Sequence, residues 1–254
     1  MHWLKDLIGT TDGRVPVGPF LKIPSIEVVE IMKLAGFDFV VFDAEHAMLS
    51  VSDLNVLIAI SRSLGLPPIV RVADHGYGDM QRILDAGAAG ILWPHVSNAA
   101  ECEVVVRQAW HPPVGTRGSG GGMRAGGWGI SRDENVDYRR DGREKVMRIP
   151  MIEEIGAVDD AENILSVQGI DGVFIGPGDL SMSMGKKPSD PEVFDAIERT
   201  FTVAKSKNVP VATLARGPAD ARRLIEHGYD FVMVGNDTGM LAKTAQAMVD
   251  EIRG

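Results

Sequence analysis

The strongest constraint on the fold is the alternation of short apolar runs with stretches of helical length along the whole sequence. Apolar runs typical of strands lie at residues 15–20, 37–42, 68–72, 89–93, 147–152, 172–175, 209–213 and 230–234. Segments of helical length follow them at 25–35, 52–64, 77–87, 98–109, 154–168, 191–207, 217–228 and 237–252. The apolar runs are continuous, as in parallel strands that are covered on both faces. Eight such units in 254 residues predict a single (β/α)8 barrel.

The junctions between helix and strand repeat one pattern, in which a glycine ends the helix and a buried strand follows. Glycines at predicted helix C-termini are Gly36, Gly65, Gly87 and Gly228. Ser52 and Asp53 predict the start of the second helix. A doubly wound open sheet is the alternative fold. That fold needs a phosphate-binding glycine turn after its first strand, and the stretch VPVGPFLKIPS contains none.

One segment breaks the alternation. Residues 110–146 separate the fourth predicted helix from the fifth strand and contain the glycine clusters GSGGG and AGGWG. A solvated loop is one interpretation, but a long loop in a compact domain is more often a lid, a binding loop or an oligomer contact. Arg117, Arg124 and Trp128 within it favour such a role. We therefore predict one barrel domain over residues 1–254, with a glycine-rich insertion near 110–146.

Composition excludes several classes of function. The net charge of -9 argues against binding to a nucleic-acid backbone, although a local arginine or a metal can still bind an anion. Cys102 is the single cysteine, which excludes an intrachain disulfide and suits a reducing compartment. No apolar run approaches the roughly 18 residues of a membrane span, and the N-terminus lacks a signal-peptide core. We expect a cytoplasmic protein that binds neither nucleic acid nor membranes.

Polar residues follow several of the apolar runs, and the carboxyl ends of barrel strands meet on one rim. Glu153 follows the fifth strand directly, and Asp179 follows the sixth after a short glycine turn. Two carboxylates from neighbouring strands suggest a site for a hard divalent cation such as Mg2+ or Mn2+. Two other interpretations stay open: both residues cap the turns that follow them, or they act as an acid/base pair without a metal.

Further rim residues are candidates for binding or proton transfer. Arg71 ends the third strand, and its permanent charge needs either an anionic substrate or a salt bridge to a rim acid. His46 lies three residues after Asp43, a spacing that suits an imidazole oriented by a carboxylate; a capping or exposed histidine is the alternative. Glu45 suits either the surroundings of a metal or a helix cap. His95 is a weaker candidate.

Five stretches of the sequence match one family pattern in order and spacing. They are FDFVVFDAEHAMLS, the stretch from PPIVRVADH to WPHVSNAAE, HPPVGTRG, the stretch from MIEEIGAVDD to GPGDLSMSMG, and FVMVGND. Together they resemble the HpcH/HpaI family of metal-dependent, class II pyruvate aldolases. The resemblance covers nearly the whole chain, from about residue 14 to residue 252. Its most specific parts are the D-x-E-H turn, the IE pair of the fifth strand, and GVFIGPGDLS.

The resemblance implies a barrel of the phosphoenolpyruvate/pyruvate type and a reversible aldol reaction of pyruvate with an aldehyde. The family cleaves 4-hydroxy-2-oxo acids such as 4-hydroxy-2-oxoheptanedioate and 2-keto-3-deoxy sugar acids. The resemblance implies that Glu153 and Asp179 are the ligands of a divalent cation, here Mg2+, Mn2+ or Co2+, and that Asp179 also contacts the substrate. Glu45 is expected to organise water around the cation.

The same resemblance assigns the remaining roles. His46 is the implied acid/base, paired with Asp43, and Arg71 binds the keto oxygen of pyruvate. The backbone N–H groups of Gly178 and Leu180 are expected to bind the substrate carboxylate. The physiological aldehyde stays open.

The resemblance also implies a homo-oligomer, usually a hexamer built as a trimer of dimers, with the eighth helix exchanged between subunits. The sequence shows no lysine at the end of a predicted rim strand, which argues against a Schiff-base aldolase. Two other functions stay open: a citryl- or malyl-CoA-type lyase on the same barrel, and a barrel-shaped binding protein without catalysis.

Overall fold

The computed structural model describes residues 3–10, 13–120, 122–130 and 137–254. Across these residues, eight parallel strands form a closed barrel in sequence order, and the last strand pairs with the first. The strands are β1 Val17–Leu21, β2 Val40–Asp43, β3 Pro68–Arg71, β4 Gly90–Trp93, β5 Met147–Ile152, β6 Val173–Ile175, β7 Val211–Ala215 and β8 Phe231–Asn236. The predicted (β/α)8 barrel is confirmed, and each predicted strand overlaps an observed one.

Helices surround the barrel. They are α1 Ile26–Leu34, α2 Val51–Ser63, α3 Tyr77–Ala86, α4 Ala99–Ala109, α5 Tyr138–Glu144, α6 Ile155–Asp159, α7 Ala161–Ile164, α8 Pro177–Ser183, α9 Pro191–Ser206, α10 Pro218–His227 and α11 Asp237–Arg253. Short 3-10 helices span Leu4–Asp6 and Arg124–Gly129. The prediction of one helix over 154–168 is wrong, because the backbone leaves helical geometry at Asp160 (φ -97°, ψ 9°). The prediction also lacked α8, whose seven residues are too few to show helical periodicity.

The apolar runs are continuous because the two faces of each strand enter two different cores. In β2 and the residue before it, Phe39 and Val41 point into the barrel with the interior cluster. Val40 and Phe42 belong to the cluster between the sheet and the helices. All four side chains are fully buried. This arrangement fills the inside of the barrel, so that a polar cavity can form only at its ends.

Helix boundaries follow their capping residues. The second helix begins at Val51 rather than at Ser52, because Ser50 is its N-cap and forms a reciprocal capping box with Asp53. Gly87 and Gly228 are left-handed C-caps at φ 101° and 108°. The left-handed conformation explains why the sequence places glycine at these two positions.

The segment 110–146 lies against the outer helices where it is described; its residues 121 and 131–136 lie outside the described residues. Buried Arg117 donates to Asp85 of α3 over 2.8 Å. Arg124 donates to the carbonyl of Asn55 of α2 over 3.1 Å. No described residue of this segment lines the cavity at the carboxyl-end rim of the barrel that is described below. The described residues of this segment therefore do not form a lid over that cavity, and a binding loop or an oligomer contact stays a prediction.

The C-terminal helix α11 contacts the barrel through its first turn and is otherwise exposed. Asp237 is its buried residue. The apolar side chains of Leu241, Met248 and Ile252 are 62%, 61% and 82% exposed. Within the described ranges, no helix combines the length and the apolar character that crossing a membrane requires.

Candidate active site

A buried ion pair joins the ends of β2 and β3. Asp43 and Arg71 are the last residues of their strands, and the parallel register places them side by side. The Nε and Nη2 groups of Arg71 donate to the two carboxylate oxygens of Asp43 over 3.0 and 2.8 Å. Both side chains are buried, and the guanidinium also lies over the ring of Phe20 at 4.9 Å. This bidentate geometry fixes the guanidinium at the barrel mouth.

Asp43 is also the centre of the turn that follows β2. Its Oδ1 accepts the backbone N–H groups of Glu45 and His46 over 3.2 and 3.1 Å. Burial alone would raise the pKa of Asp43. The hydrogen bonds and charge of Arg71, together with the His46 N–H and the charge of Lys22, lower that pKa below its ordinary value. Asp43 is therefore ionised at neutral pH.

The imidazole of His46 does not pair with Asp43, so this part of the sequence prediction is wrong. Among the contacts of the described residues, the ring is nearest to Glu45, whose Oε2 lies 3.7 Å from Nε2. The His46 side chain is 53% exposed. The hydrogen bonds that the carboxylate of Asp43 accepts among the described residues come from Arg71 and from the backbone N–H groups of Glu45 and His46, and not from the imidazole. His46 nevertheless lines the mouth of the barrel.

Glu45 connects Arg71 to His95. Its Oε2 lies 2.9 Å from Nη1 of Arg71, an ion pair outside hydrogen-bonding geometry, and its Oε1 lies 3.0 Å from Nε2 of His95. The side chain is 9% exposed. Since Ser50 caps the helix that follows, the helix-capping interpretation of Glu45 is wrong. The salt-bridge interpretation of Arg71 is confirmed, and it does not exclude a substrate because a guanidinium has five N–H donors.

Glu153 places an incompletely bonded carboxylate in the protein interior. It directly follows β5 and is 1% exposed. Its Oε1 accepts the backbone N–H of His95 over 2.7 Å, whereas its Oε2 has no hydrogen-bond partner among the residues that the structure describes. The helix-capping interpretation fails here too, because the N-cap of α6 is Glu154. A buried carboxylate oxygen without a donor is an unfavourable arrangement unless a cation completes it.

The surroundings of Glu153 change its protonation. Burial raises the pKa of Glu153 to about 7, and the negative charges of Glu45 and Asp179 contribute to the rise, against the lowering effect of the His95 contacts. Gly176 makes room for this side chain, because a Cβ there would lie 2.7 Å from Cβ of Glu153 and 2.8 Å from its Oε2. The carboxylates of Glu45 and Asp179 repel that of Glu153. A divalent cation stabilises such a set of oxygen ligands.

His95, a weaker candidate in the sequence analysis, belongs to a group of three side chains that could bind a metal ion. Ligand atoms of Glu45, His95 and Glu153 all lie within 4.8 Å of one another, as required of residues that could hold a metal ion. The backbone of His95 is left-handed at φ 53°, a conformation that is uncommon outside glycine and frequent at functional sites. Its position two residues after the end of β4, in WPH, was the signal available in the sequence.

A cavity of about 210 Å³ opens at this rim. It is lined by the predicted residues Asp43, His46, Arg71, Gly178 and Asp179. The structure therefore brings these predicted residues together. Glu153 is not among the lining residues but lies beside Gly176 of the cavity wall.

Two expectations about this cavity are wrong. The N–H of Leu180 donates to the carbonyl of Gly176 over 3.0 Å, so it is not free for a substrate carboxylate, whereas the Gly178 N–H has no acceptor among the described residues. The rim also contains a lysine, because Lys22 directly follows β1 and its Nζ lies 3.3 Å from Oδ2 of Asp43. The sequence argument against a Schiff-base aldolase, which assumed a rim without lysine, therefore fails.

Comparison with known proteins gives consistent matches over almost the whole chain. The model of the HpcH/HpaI aldolase/citrate lyase family matches residues 17–244. The 5-keto-4-deoxy-D-glucarate aldolase of Escherichia coli O9:H4 (strain HS) is 32% identical over 242 residues, 94% of this chain and 93% of that protein. The hydroxypyruvate/pyruvate aldolase of Chromohalobacter salexigens is 32% identical over 246 residues, 96% and 95% of the two chains. A crystal structure of a family protein from Burkholderia cenocepacia J2315 has a TM-score of 0.90 at 29% identity, with 99% of both chains covered.

Proposed function

The chain belongs to the HpcH/HpaI aldolase/citrate lyase family, and from that membership we propose how its rim residues carry out a class II aldolase reaction. The protein is a carbon–carbon lyase that joins a 2-oxo acid to an aldehyde and catalyses the reverse cleavage. The donor is pyruvate or a close 2-oxo acid, and the cleaved substrates are 4-hydroxy-2-oxo acids such as 4-hydroxy-2-oxoheptanedioate or 2-keto-3-deoxy sugar acids. The names of the two curated relatives support this substrate class.

The observation that carries the proposal is the buried Glu153 carboxylate with an oxygen that lacks a donor. Glu153 and Asp179 would hold a divalent cation (Mg2+, Mn2+ or Co2+), and Glu45 beside them would order water around it. When bound, the cation would act as a Lewis acid toward the keto oxygen of the 2-oxo acid. The metal-ligand group that includes His95 overlaps this set at Glu45 and Glu153, so His95 is a third residue to test as a ligand.

Arg71 stabilises the negative charge that develops on the keto oxygen when a methyl proton leaves. Three of its nitrogens already face Asp43 and Glu45, which leaves its remaining N–H groups for the substrate. Because Asp43 and the ring of Phe20 hold the guanidinium in place, little reorganisation is needed during the reaction. The free N–H of Gly178 binds the carboxylate of the 2-oxo acid.

His46 moves the proton at the aldehyde end. In cleavage, its imidazole accepts the proton of the C4 hydroxyl as the C3–C4 bond breaks. The bonding electrons then remain on the three-carbon enolate, whose terminal CH2 carbon takes a proton from solvent water to give pyruvate, and the protonated His46 releases its proton to solvent. In synthesis, His46 returns the proton to the new hydroxyl oxygen. The exposed position of the ring at the cavity mouth suits contact with an incoming aldehyde.

The proposal is tested by chelation and by two matched substitutions. We expect EDTA to abolish both cleavage of 4-hydroxy-2-oxo acids and exchange of pyruvate methyl protons with deuterated water, and Mg2+, Mn2+ or Co2+ to restore both. Glu153→Gln should behave like the chelated protein. Glu154→Gln, a substitution of the neighbouring, partly exposed carboxylate, should retain activity. Full activity after exhaustive chelation, or an imine with pyruvate trapped by borohydride, contradicts the proposal.

We also propose a homo-oligomer in the cytoplasm, with a trimer of dimers as the expected hexamer. The exposed apolar side chains of α11, which include Leu241, Met248 and Ile252, support burial of this helix against a neighbouring subunit. Mass measurement by light scattering tests the assembly. Leu241→Glu together with Ile252→Glu should reduce the mass, whereas a monomeric parent protein contradicts the proposal.

A further inference from the structure

Lys22 is a charged group in the cavity that the reaction described above does not use. It directly follows β1, and its side chain is 27% exposed. It lines the same cavity as His46, Arg71 and Asp179. Neither the donor-binding nor the proton-transfer roles require a second cation here.

The backbone of Lys22 is held firmly. Its N–H donates to both carboxylate oxygens of Asp237 over 3.0 Å each. The next N–H, that of Ile23, donates to the same carboxylate over 2.9 Å. Asp237 is buried at the start of α11, which follows β8. The lysine side chain therefore projects from a fixed point of the rim.

The ammonium group of Lys22 keeps donor capacity for a ligand. Its one ion pair among the described residues is with Oδ2 of Asp43, at 3.3 Å. That oxygen already accepts a shorter hydrogen bond from Arg71, at 2.8 Å. An ammonium group has three N–H donors, so at least two remain for another acceptor. Since Arg71 also forms an ion pair with Asp43, Lys22 is not the sole counter-charge of that carboxylate, and its remaining N–H donors can bind an anion in the cavity.

The position of Lys22 places this charge at the acceptor end of the cavity. In the closed eight-strand barrel, β1 lies opposite β5, whose end carries Glu153, and next to β2, whose turn carries His46. The 2-oxo acid is bound between Glu153, Asp179 and Arg71. Lys22, which contacts the same oxygen of Asp43 as Arg71, lies on the β1 side of this donor. An aldehyde whose oxygen meets His46 thus has its far end near β1 and β8, where Lys22 and Asn236 line the cavity.

We propose that Lys22 binds a carboxylate at the far end of the acceptor aldehyde and thereby selects acidic aldehydes over neutral ones. The inference rests on the proposed aldolase function, to which it adds the residue that determines acceptor specificity. Leu214, an apolar neighbour in the same cavity, gives a neutral aldehyde contact but no charge.

The test compares two four-carbon acceptors, 4-oxobutanoate and butanal, with pyruvate as donor. In Lys22→Met, kcat/KM for 4-oxobutanoate should fall about 10- to 100-fold, the loss expected for one hydrogen bond to a charged group. The value for butanal should change by less than about threefold. Lys22→Arg should recover much of the preference for the acid. Lys33→Met removes the same charge from the exposed face of α1 and should leave the preference intact.

The outcomes separate this inference from the proposed function. Metal-dependent exchange of pyruvate methyl protons by the parent enzyme tests the proposed function without any aldehyde. Given that exchange, an unchanged preference for 4-oxobutanoate in Lys22→Met overturns the role of Lys22. Equal losses with both aldehydes also overturn it, because Lys22 would then act by positioning Asp43.

Discussion

Replacing Glu153 with glutamine should stabilise the metal-free protein while it abolishes catalysis. The carboxyl group is 1% exposed and its pKa rises from 4.5 to about 7 in the folded chain. Between these two pH values, the unfolded chain releases the proton while the folded chain keeps it. The folded state then binds more protons than the unfolded state, so the free energy of unfolding falls as pH rises.

The size of the effect follows from the shift. A difference of about 2.5 pKa units, at about 1.4 kcal/mol each, amounts to about 3 kcal/mol once the pH exceeds 7. Glutamine has nearly the same shape and carries no charge, so Glu153→Gln removes this penalty. The gain should be near zero at pH 4.5 and approach about 3 kcal/mol at pH 8, or roughly 6–12 °C in Tm for a chain of this size.

Denaturation in the presence of EDTA, at pH values from 5 to 8, measures the effect. Glu154→Gln is the matched control, because it removes a charge one residue away from a side chain that is 43% exposed. The parent and the control should lose stability as pH rises over this range, and Glu153→Gln should lose about 2.5 kcal/mol less, since a small part of the effect is already present at pH 5. If Glu153→Gln has the same pH dependence as the parent, the carboxylate does not carry the cost of burial, and its assignment to a cation site loses its physical basis.

Three further substitutions test the other parts of the site. Arg71→Ala should reduce both pyruvate proton exchange and retro-aldol cleavage about 10²- to 10³-fold, because it removes a preorganised donor to the developing oxyanion; exchange at the parent rate in a folded, metal-loaded variant would contradict the role. His46→Ala should lose cleavage and retain more of its exchange, as measured by NMR, whereas equal losses would make His46 the base for enolisation as well. Gly176→Ala should destabilise the protein by about 1–3 kcal/mol in urea denaturation, because its Cβ would overlap Glu153. Gly156→Ala, whose Cβ meets nothing within 4 Å, is the control; equal stability of the two variants would show that Gly176 is not needed for space.

The barrel was predictable because its cause is local. Each strand of a helix-covered parallel barrel is buried on both faces and therefore has a continuous apolar sequence. Each strand can thus be predicted from its own residues, without knowledge of the strands beside it. Phe39 and Phe42 show this within one run, since they enter the interior core and the outer core respectively. The lengths of α6, α7 and α8 were not predictable in the same way, because a side chain such as Asp160, which bonds to Ala99 of another helix, decides where a helix ends.

The identity of most rim residues was also predictable, since a closed barrel brings the carboxyl ends of all its strands together. Asp43, Arg71 and Asp179 line one cavity for that reason, and Glu153 lies beside Gly176 of its wall. Lys22 was overlooked because the first strand was predicted to end at residue 20 and extends to Leu21, which puts the lysine directly at the rim. A difference of one residue at a strand end is within the uncertainty of any periodicity argument.

The sequence alone therefore determined most of the side chains that reach the rim, and the tertiary structure decided which of them become partners. Asp43 binds Arg71 rather than the imidazole of His46, because the register of β2 and β3 sets the two residues side by side. Among the described residues, Oε2 of Glu153 stays unpaired because the backbone N–H of His95 donates to Oε1 instead. Pairing depends on distances and angles between separate strands, and these are fixed only when the barrel closes.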